Sequence, residues 1–540
     1  MSEATSLLTP AERRTRMAAF VGVLAVLFLS SLNMTVVGTA LPRIIAELNG
    51  FELYAWAFTA FSLTATVTLP IYGRLSDRVG RRPVLLGGIV AFALASAAAG
   101  LSQSMLQLVI FRALQGVGGG ALISMSWAAI GDLFPPRERG RYQGWTGAVF
   151  GVSSVIGPLV GGLITDGPGW RWVFLVNLPV AAVAFELVRR YLPRAPRRAG
   201  QGIDLAGAVL LVASVLPLLL VGGRLGAGAA PGDPEVLGLI AVAVVSGAAF
   251  VVVQLRSSHP TFEPALFADA TYRRGNLAAF LTGVGLFGAV IYLPLFVQGV
   301  QGGSAAASGL VLAPMMAGVV LASSLSGWLA SRTGRYRRWI VLGVALMAAG
   351  FLASARFAPD ASTWWVMAWM VVLGAGIGPT NSLLTLAVQN ALPEDKLGAA
   401  TSANQFFRQM GGTLGVGVFG AVLTARVRAG LPDLLEGVGP LPDGSAAALA
   451  DPNLLTDPVR LAAVRATLAP TLGGDGVARV EAALRGLLGR GVSEVFLLSA
   501  IVAVVALLVV VRLPSAELRS GASASDDAAP PSLAAARAHD

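Results

Sequence analysis

The sequence predicts an all-α integral membrane protein with fourteen transmembrane helices: two six-helix bundles related by a pseudo-twofold axis, plus two inserted helices. Three observations carry that expectation. The chain of 540 residues is 55% hydrophobic and only 13% charged, with a mean hydropathy of +0.72. A soluble domain gives about a quarter of its residues to charge, so a string of soluble domains is excluded. Apolar runs of spanning length recur along the chain, and one loop motif occurs twice in the same orientation. Many of the 65 glycines lie inside the apolar runs rather than in polar repeats, as in helices packed closely through small residues. The absence of cysteine excludes disulfides, zinc–thiolate sites and thiol catalysis.

A bilayer core of ~30 Å needs about 20 apolar residues per helix. Fourteen runs qualify, at about 17–41, 53–72, 84–100, 106–131, 143–165, 172–190, 205–223, 236–254, 276–298, 306–330, 339–356, 364–390, 399–425 and 491–511. The first follows Arg13, Arg14 and Arg16 but exceeds the ~7–15 residues of a signal core, so it reads as an uncleaved helix. With the N-terminus in the cytoplasm, the arginine-rich segments around 74–82, 137–141, 189–198 and 332–338 all fall inside. The short outer loops keep only Arg43, Arg171, Arg224 and Arg356. This bias predicts a multi-pass protein of the cell membrane with both termini cytoplasmic, and it explains the net charge of +10. Arginines spread over separate loops form no single basic face, which excludes nucleic acid as a partner.

The repeated loop is Gly73-Arg74-Leu75-Ser76-Asp77-Arg78-Val79-Gly80-Arg81-Arg82, matched by Gly327-Trp328-Leu329-Ala330-Ser331-Arg332-Thr333-Gly334-Arg335. Each copy joins the second and third helices of a bundle. Bundles duplicated about an axis along the membrane normal are one way to build a carrier with its site between the halves. The organisation is a cytoplasmic N-terminus (1–16), a first bundle (17–191) and a linker with two inserted helices (192–270). A second bundle (271–512), with an outer loop at 427–490, and a disordered tail (513–540) complete it. The insert has few polar groups and is expected to face lipid. In the outer loop, Val477, Val480, Leu484, Leu487 and Leu488 recur at helical spacing; that helix lies on the membrane interface or packs on the protein.

These residues resemble the major facilitator superfamily, specifically its fourteen-span drug–proton antiporter branch. The Gly73–Arg82 loop matches the family's cytoplasmic signature, including its acid, Asp77. Arg112-Ala113-Leu114-Gln115-Gly116-Val117-Gly118-Gly119-Gly120 matches the fourth-span signature associated with proton transfer. Gly147, Gly151, Gly157-Pro158 and Gly161-Gly162 look like the antiporter glycine–proline signature, and Trp170-Arg171-Trp172-Val173-Phe174 is typical of the fourteen-span branch. The resemblance implies proton-coupled efflux of amphipathic, drug-like compounds by alternating access, from a protein functional as a monomer. One departure matters: the family's first-helix Asp is Asn33 here and its later Asn is Gly38, and an amide does not exchange protons in the physiological range.

Arginine inside a bilayer is costly and must face protein or water. Helical spacing puts Arg112, Gln115, Gly116 and Gly119 on one face, read here as lining a cavity and serving transport; the alternative is a structural arginine. Arg408, followed by Gly411, Gly412 and Gly415, has the same form. Asp77 with Gly73, Arg78, Gly80, Arg81 and Arg82 is expected to gate one bundle orientation by pairing or by capping a neighbouring helix. In the second copy Ser331 replaces the acid, so the two gates are unequal. Gly157 and Pro158, with Gly161 and Gly162, are expected to form a hinge at the bundle interface. Candidate substrate contacts are Asn33, Phe61, Gln115, Trp145, Gln298, Asn381 and Arg408.

Absences narrow the chemistry. Lys396 is the only lysine and no G-K-[ST] loop exists, so the chain is no ATP-driven pump by itself. His259 and His539 are the only histidines, leaving no histidine metal cluster or His-based triad, and neither enzyme activity nor a cofactor is expected. Gly283-x-Gly285-x-x-Gly288 and Gly415-x-Gly417-x-x-Gly420 match a dinucleotide pattern but lack its strand context, so they are packing glycines. Proton coupling is expected to rest on Arg112, with Gln115 beside it, together with Asp77 or one of Asp132, Asp166, Glu186 and Glu494. A carrier for one endogenous metabolite and a non-transporting membrane sensor are the alternative readings.

Overall fold

The computed structural model describes residues 9–48, 53–194, 204–226, 229, 232–393, 396–436, 445–451, 454–456 and 458–514. Sixteen α-helices are assigned there and no strand. They are α1 (Pro10–Leu48), α2 (Tyr54–Val79), α3 (Arg81–Gly100), α4 (Met105–Leu133), α5 (Pro136–Asp166), α6 (Arg171–Leu175), α7 (Asn177–Tyr191), α8 (Leu205–Gly226), α9 (Pro234–Arg256) and α10 (Ala270–Leu295). Then come α11 (Ala305–Thr333), α12 (Arg337–Ser354), α13 (Thr363–Ala391), α14 (Leu397–Glu436), α15 (Ser445–Leu449) and α16 (Pro458–Val511). All fourteen apolar runs fall on these helices, the sixth divided at Val176 between α6 and α7 and the ninth ending in a π turn, Phe296–Val300. Among the described residues, eleven helical segments are long and apolar enough to cross a membrane.

Helix pairing repeats between the halves. In the first, α1 packs on α5 and α7, and α4 on α2 and α3; in the second, α10 packs on α14 and α16, and α13 on α11 and α12. The halves join through α5–α11 and α2–α14, the second helix of each against the fifth of the other. This explains the duplicated loop. A Cβ on Gly73 would lie 2.6 Å from the Ser402 Cβ of α14, and a Cβ on Gly140 of α5 would lie 2.9 Å from the Gly327 Cα. The second glycine of each copy, Gly80 (φ 93°) or Gly334 (φ 68°), turns the chain through a conformation that side chains disfavour.

The inserted pair divides its work. α9 exposes the apolar side chains of Val242, Val244, Val245, Val251, Val252 and Leu255. α8 instead covers the α2–α14 seam, with Leu211, Val215 and Leu219 clustered with Leu63, Val67 and Phe406. Gly222 and Gly417 meet backbone to backbone, a Cβ on Gly222 falling 3.0 Å from the Gly417 Cα. The outer-loop helix is the second part of α16, which breaks at Gly473. Its Val480, Leu484 and Leu488 are buried, and Leu487 and Leu488 meet Gly430 and Gly299, so it packs on the protein. The tail beyond 514 and the Pro440–Gly444 stretch lie outside the described residues.

Replacing Gly222 by leucine should force α8 off α14. Overpacking of this kind costs about 1–3 kcal/mol, so the variant is expected to melt several degrees lower in detergent, followed by fluorescence-detected size exclusion. An unchanged melting profile would contradict the backbone contact.

Candidate functional site

Along α4, Leu106, Ile110 and Leu114 are exposed, Val117 is half-buried, and Ala121, Ser124, Ala128 and Gly131 on the same stripe are buried. The buried part meets the second half: Ser124 Oγ touches Ser402 Oγ, and Gly131 lies against the Gln389 amide. Gln143 Nε2 of α5 donates to Gln389 Oε1 at 3.2 Å. Along α13, Trp364, Ala368 and Val371 are exposed while Ser382, Leu386 and Gln389 are buried. Each fourth helix is therefore bare toward one end and covered toward the end bearing the arginine loops. The halves meet at the arginine end and part beyond it, leaving walls that are apolar at these positions.

At the arginine end, Asp77 caps α14: its Oδ1 accepts the Gly398 N–H at 3.0 Å and its Oδ2 the Ala399 N–H at 2.8 Å. The α14 N-terminus, with its positive dipole end, belongs to the opposite half. Arg81 pairs with Asp77, donates to Ser76 Oγ at 2.9 Å and reaches Asp132 Oδ2 at 3.1 Å. Asp77 lies beyond the apolar run that ends at 72. Burial pushes its carboxyl above the ordinary range, outweighing the downward pull of Arg81 and of the Ala399 and Gly398 N–H groups. Ser331, its counterpart, donates to the Trp328 carbonyl of its own helix at 2.7 Å, so no capping carboxylate stands at this position. Arg78 is half-buried, and Arg82 donates to the Arg189 carbonyl inside the first half.

Arg112 is fully buried inside the first bundle. Its Nε donates to the Ala57 carbonyl at 2.9 Å, and its Nη1 to Asn33 Oδ1 and Gln115 Oε1, both at 2.6 Å. The guanidinium stacks over Phe61, 4.4 Å from the ring centroid, and Gln115 passes the network to Ser96 and Asn177. The expectation of a cavity-lining face is corrected: Gly116 and Gly119 press on Thr64 and Phe61 of α2. The small face serves helix contact, and Asn33, Phe61 and Gln115 support Arg112 rather than line the opening. Asn381 and Arg408 come together in the second bundle, where Arg408 also donates to Asn404 Oδ1 at 3.1 Å.

The remaining candidates are dispersed. Trp145, 54% exposed, shares an exposed stripe with Val152, Ile156 and Leu163, on a face of α5 away from its Gly140–Gly151 contact with α11. Gln298 sits in the π turn, bonded to Ser308 Oγ at 2.9 Å and apart from Asn381. Gly157, expected at the interface between the bundles, does not lie there. α5 runs unbroken through Gly157-Pro158, and Gly157 meets Thr35 of α1 within the first bundle. Gly161 is buried, Gly162 faces open space, and the Pro158 side chain lies outside the described residues. The interface glycines are Gly140, Gly144, Gly147 and Gly151, on another face of the same helix. Sequence reasoning missed Gln143, Gln389 and Ser402, whose partners lie hundreds of residues away.

A family model described as Major Facilitator Superfamily matches residues 23–416. Multidrug transporter protein MdtP of Bacillus subtilis is 38% identical over 405 residues, 75% of this chain and 75% of that protein. Multidrug resistance protein 3 of the same organism is 35% identical over 446 residues, 82% of this chain and 87% of that protein. The proton:xylose symporter XylE shares the fold, with a TM-score of 0.57 at 13% identity, covering 94% of this chain and 98% of its own. So does a bacterial homolog of the lysosomal transporter Spinster, with a TM-score of 0.55 at 17% identity, covering 94% and 99%.

Arg112→Ala would leave the Ala57, Asn33 and Gln115 acceptors unmatched in an apolar interior. Each such group costs about 1–3 kcal/mol, so a folded protein with a clearly lowered melting temperature is expected; an unchanged one would remove the network's role. Asp77 gives a pH dependence. Its carboxyl is raised while buried and returns toward its ordinary value once parting of the halves exposes it, so the closed end binds the proton more tightly. Acidification through the carboxylate range should therefore favour closure and rising pH should oppose it. The ratio of Ser124→Cys labelling with Asp77 present to labelling in the Asp77→Asn background, in which the thiol's own titration and that of Glu263 cancel, is expected to fall as pH falls; a ratio that rises would overturn the assignment.

Proposed function

Because the chain belongs to the major facilitator superfamily, we propose that it is a secondary transporter that exports amphipathic, drug-like compounds by alternating access. The observation that carries this reading is the one-ended closure. The halves are sealed at the arginine end by Asp77, Gln143–Gln389 and the α5–α11 glycines, and the fourth helices are bare beyond it. Taking the arginine loops as cytoplasmic, this is an outward-facing state, and rocking of the bundles supplies the other. Exposed apolar residues on the walls suit bulky hydrophobic solutes, and the multidrug names of the relatives agree.

Proton coupling is the finer part of the proposal. Asn33, bonded to Arg112, holds no proton to exchange. Glu186 and Glu494, the acids inside apolar runs, are ion-paired near the ends with Arg189 and Arg190 and with Arg426. Asp77, with Arg81 and Asp132 beside it, is the set proposed here to take the proton where the halves close, Glu263 being the other carboxylate at that seam. Protonation there would bias the orientation of the bundles without a proton meeting the substrate. The same reading places the protein in the cell membrane with both termini cytoplasmic, acting as a monomer without enzymatic chemistry.

Inverted vesicles test this directly. Uptake of a lipophilic dye or drug driven by a proton gradient and collapsed by an uncoupler is expected, with loss of uptake in Arg112→Ala. Uptake of a single metabolite and of no drug across a broad panel would replace the substrate class. No uptake of anything by well-expressed protein would overturn the transporter reading.

A further inference from the structure

The segment that follows the inserted helices reaches the gate. Glu263 Oε1 pairs with Arg74 Nη1 of α2 at 3.0 Å, and its Oε2 pairs with Lys396 Nζ, just before α14, at 2.5 Å. Arg74 belongs to the first half and Lys396, the chain's only lysine, to the second. One carboxylate therefore ties both halves, beside the Asp77 cap on α14. The Glu263 and Arg74 side chains are each 19% exposed and Lys396 is 35% exposed, so water screens the pairs only in part.

The insert holds Glu263 in place. Asp204, at the start of α8, accepts the Gly207 N–H at 2.7 Å and Gln254 Nε2 of α9 at 2.6 Å. Gln254 Oε1 in turn accepts the Phe262 N–H at 2.9 Å, next in the chain to Glu263. The Phe262 ring packs among Phe250, Phe406 and Phe407, with centroids 5.4–6.1 Å apart. Arg74 also donates to the Pro260 carbonyl. The inserted helices are thus tied by side chains to the residue that bridges the seam.

We propose that Glu263 is a positioning residue of the transport cycle, a latch through which the inserted helices hold the arginine end closed. If the halves part there, Arg74 and Lys396 separate and one carboxylate can keep only one of them. Closure is favoured by the pair that is lost. The inserted pair, on this account, sets the balance between the two orientations without touching the substrate.

The proposal rests on the two-orientation reading, and its test separates the two. In the naturally cysteine-free chain, Ser124→Cys provides a buried thiol at the seam, labelled from the arginine side when the halves part. Gly73→Val is the control, since its side chain would collide with Ser402 and wedge the seam open. Glu263→Gln keeps the shape and removes the charge, and is expected to speed labelling by about three- to tenfold, the scale of losing one or two partly screened ion pairs. Lys396→Met should do the same from the opposite half. Glu263→Gln should add little in an Arg74→Met, Lys396→Met background, because its partners are already gone. Faster labelling with Gly73→Val but none with Glu263→Gln or Lys396→Met would overturn the latch alone. A thiol that stays unlabelled even with Gly73→Val would overturn the rocking motion itself. Should Glu263→Gln fail to fold, Lys396→Met decides the question.

Discussion

Lipid gives helices no hydrophobic reason to associate, so two bundles in a membrane must hold each other by close backbone approach and a few polar bonds. That constraint shapes the molecule. Gly140 and Gly144 of α5 meet Gly327 and Ser324 of α11, and Gly73 of α2 meets Gly398 and Ser402 of α14. Neither seam interlocks large side chains at these points. A contact made of small residues and several hydrogen bonds can be broken and remade without repacking either bundle. The interior of each bundle is built differently, with large buried residues such as Phe61, Phe92 and Trp127 in the first and Phe351 and Phe496 in the second.

Charge follows the same division. The two guanidiniums deepest in the bundles, Arg112 and Arg408, are bonded to amides, a hydroxyl and carbonyls rather than to carboxylates. With Asn33 where the family carries an acid, the Arg112 network of Ala57, Asn33, Gln115, Ser96 and Asn177 contains no carboxylate. The carboxylates that span the seam, Asp77 and Glu263, sit together at the arginine end. These two seam carboxylates and the bare apolar positions of the fourth helices therefore lie toward opposite ends of the interface.

The spans and the duplication were legible because they depend on local composition and repetition. The purpose of the repeat glycines was partly so: recurrence marked them as special, but their partners on the fifth helices of the opposite halves could not be inferred from a single chain. Helical spacing correctly grouped Arg112, Gln115, Gly116 and Gly119, yet periodicity says which residues share a face and not what that face meets. The face packs on α2, so residues chosen as cavity lining became network or packing residues. Trp145 and Gly157 failed for the same reason, each being on a face of α5 other than the one supposed. The insert was misjudged in part because its apolar content describes α9 well, whereas α8 works through Gly222 and through the polar residues at its start.

The most direct measurement of the central claim is a pair of spin-label distances in the cysteine-free background. One pair, Arg194→Cys with Arg335→Cys, spans the halves at the arginine end; the other, Gln103→Cys with Asp360→Cys, spans the opposite end. The account predicts two populations at each end whose distances change reciprocally when the pH or a transported compound is varied, one shortening as the other lengthens. A single fixed distance at both ends under all conditions would contradict it.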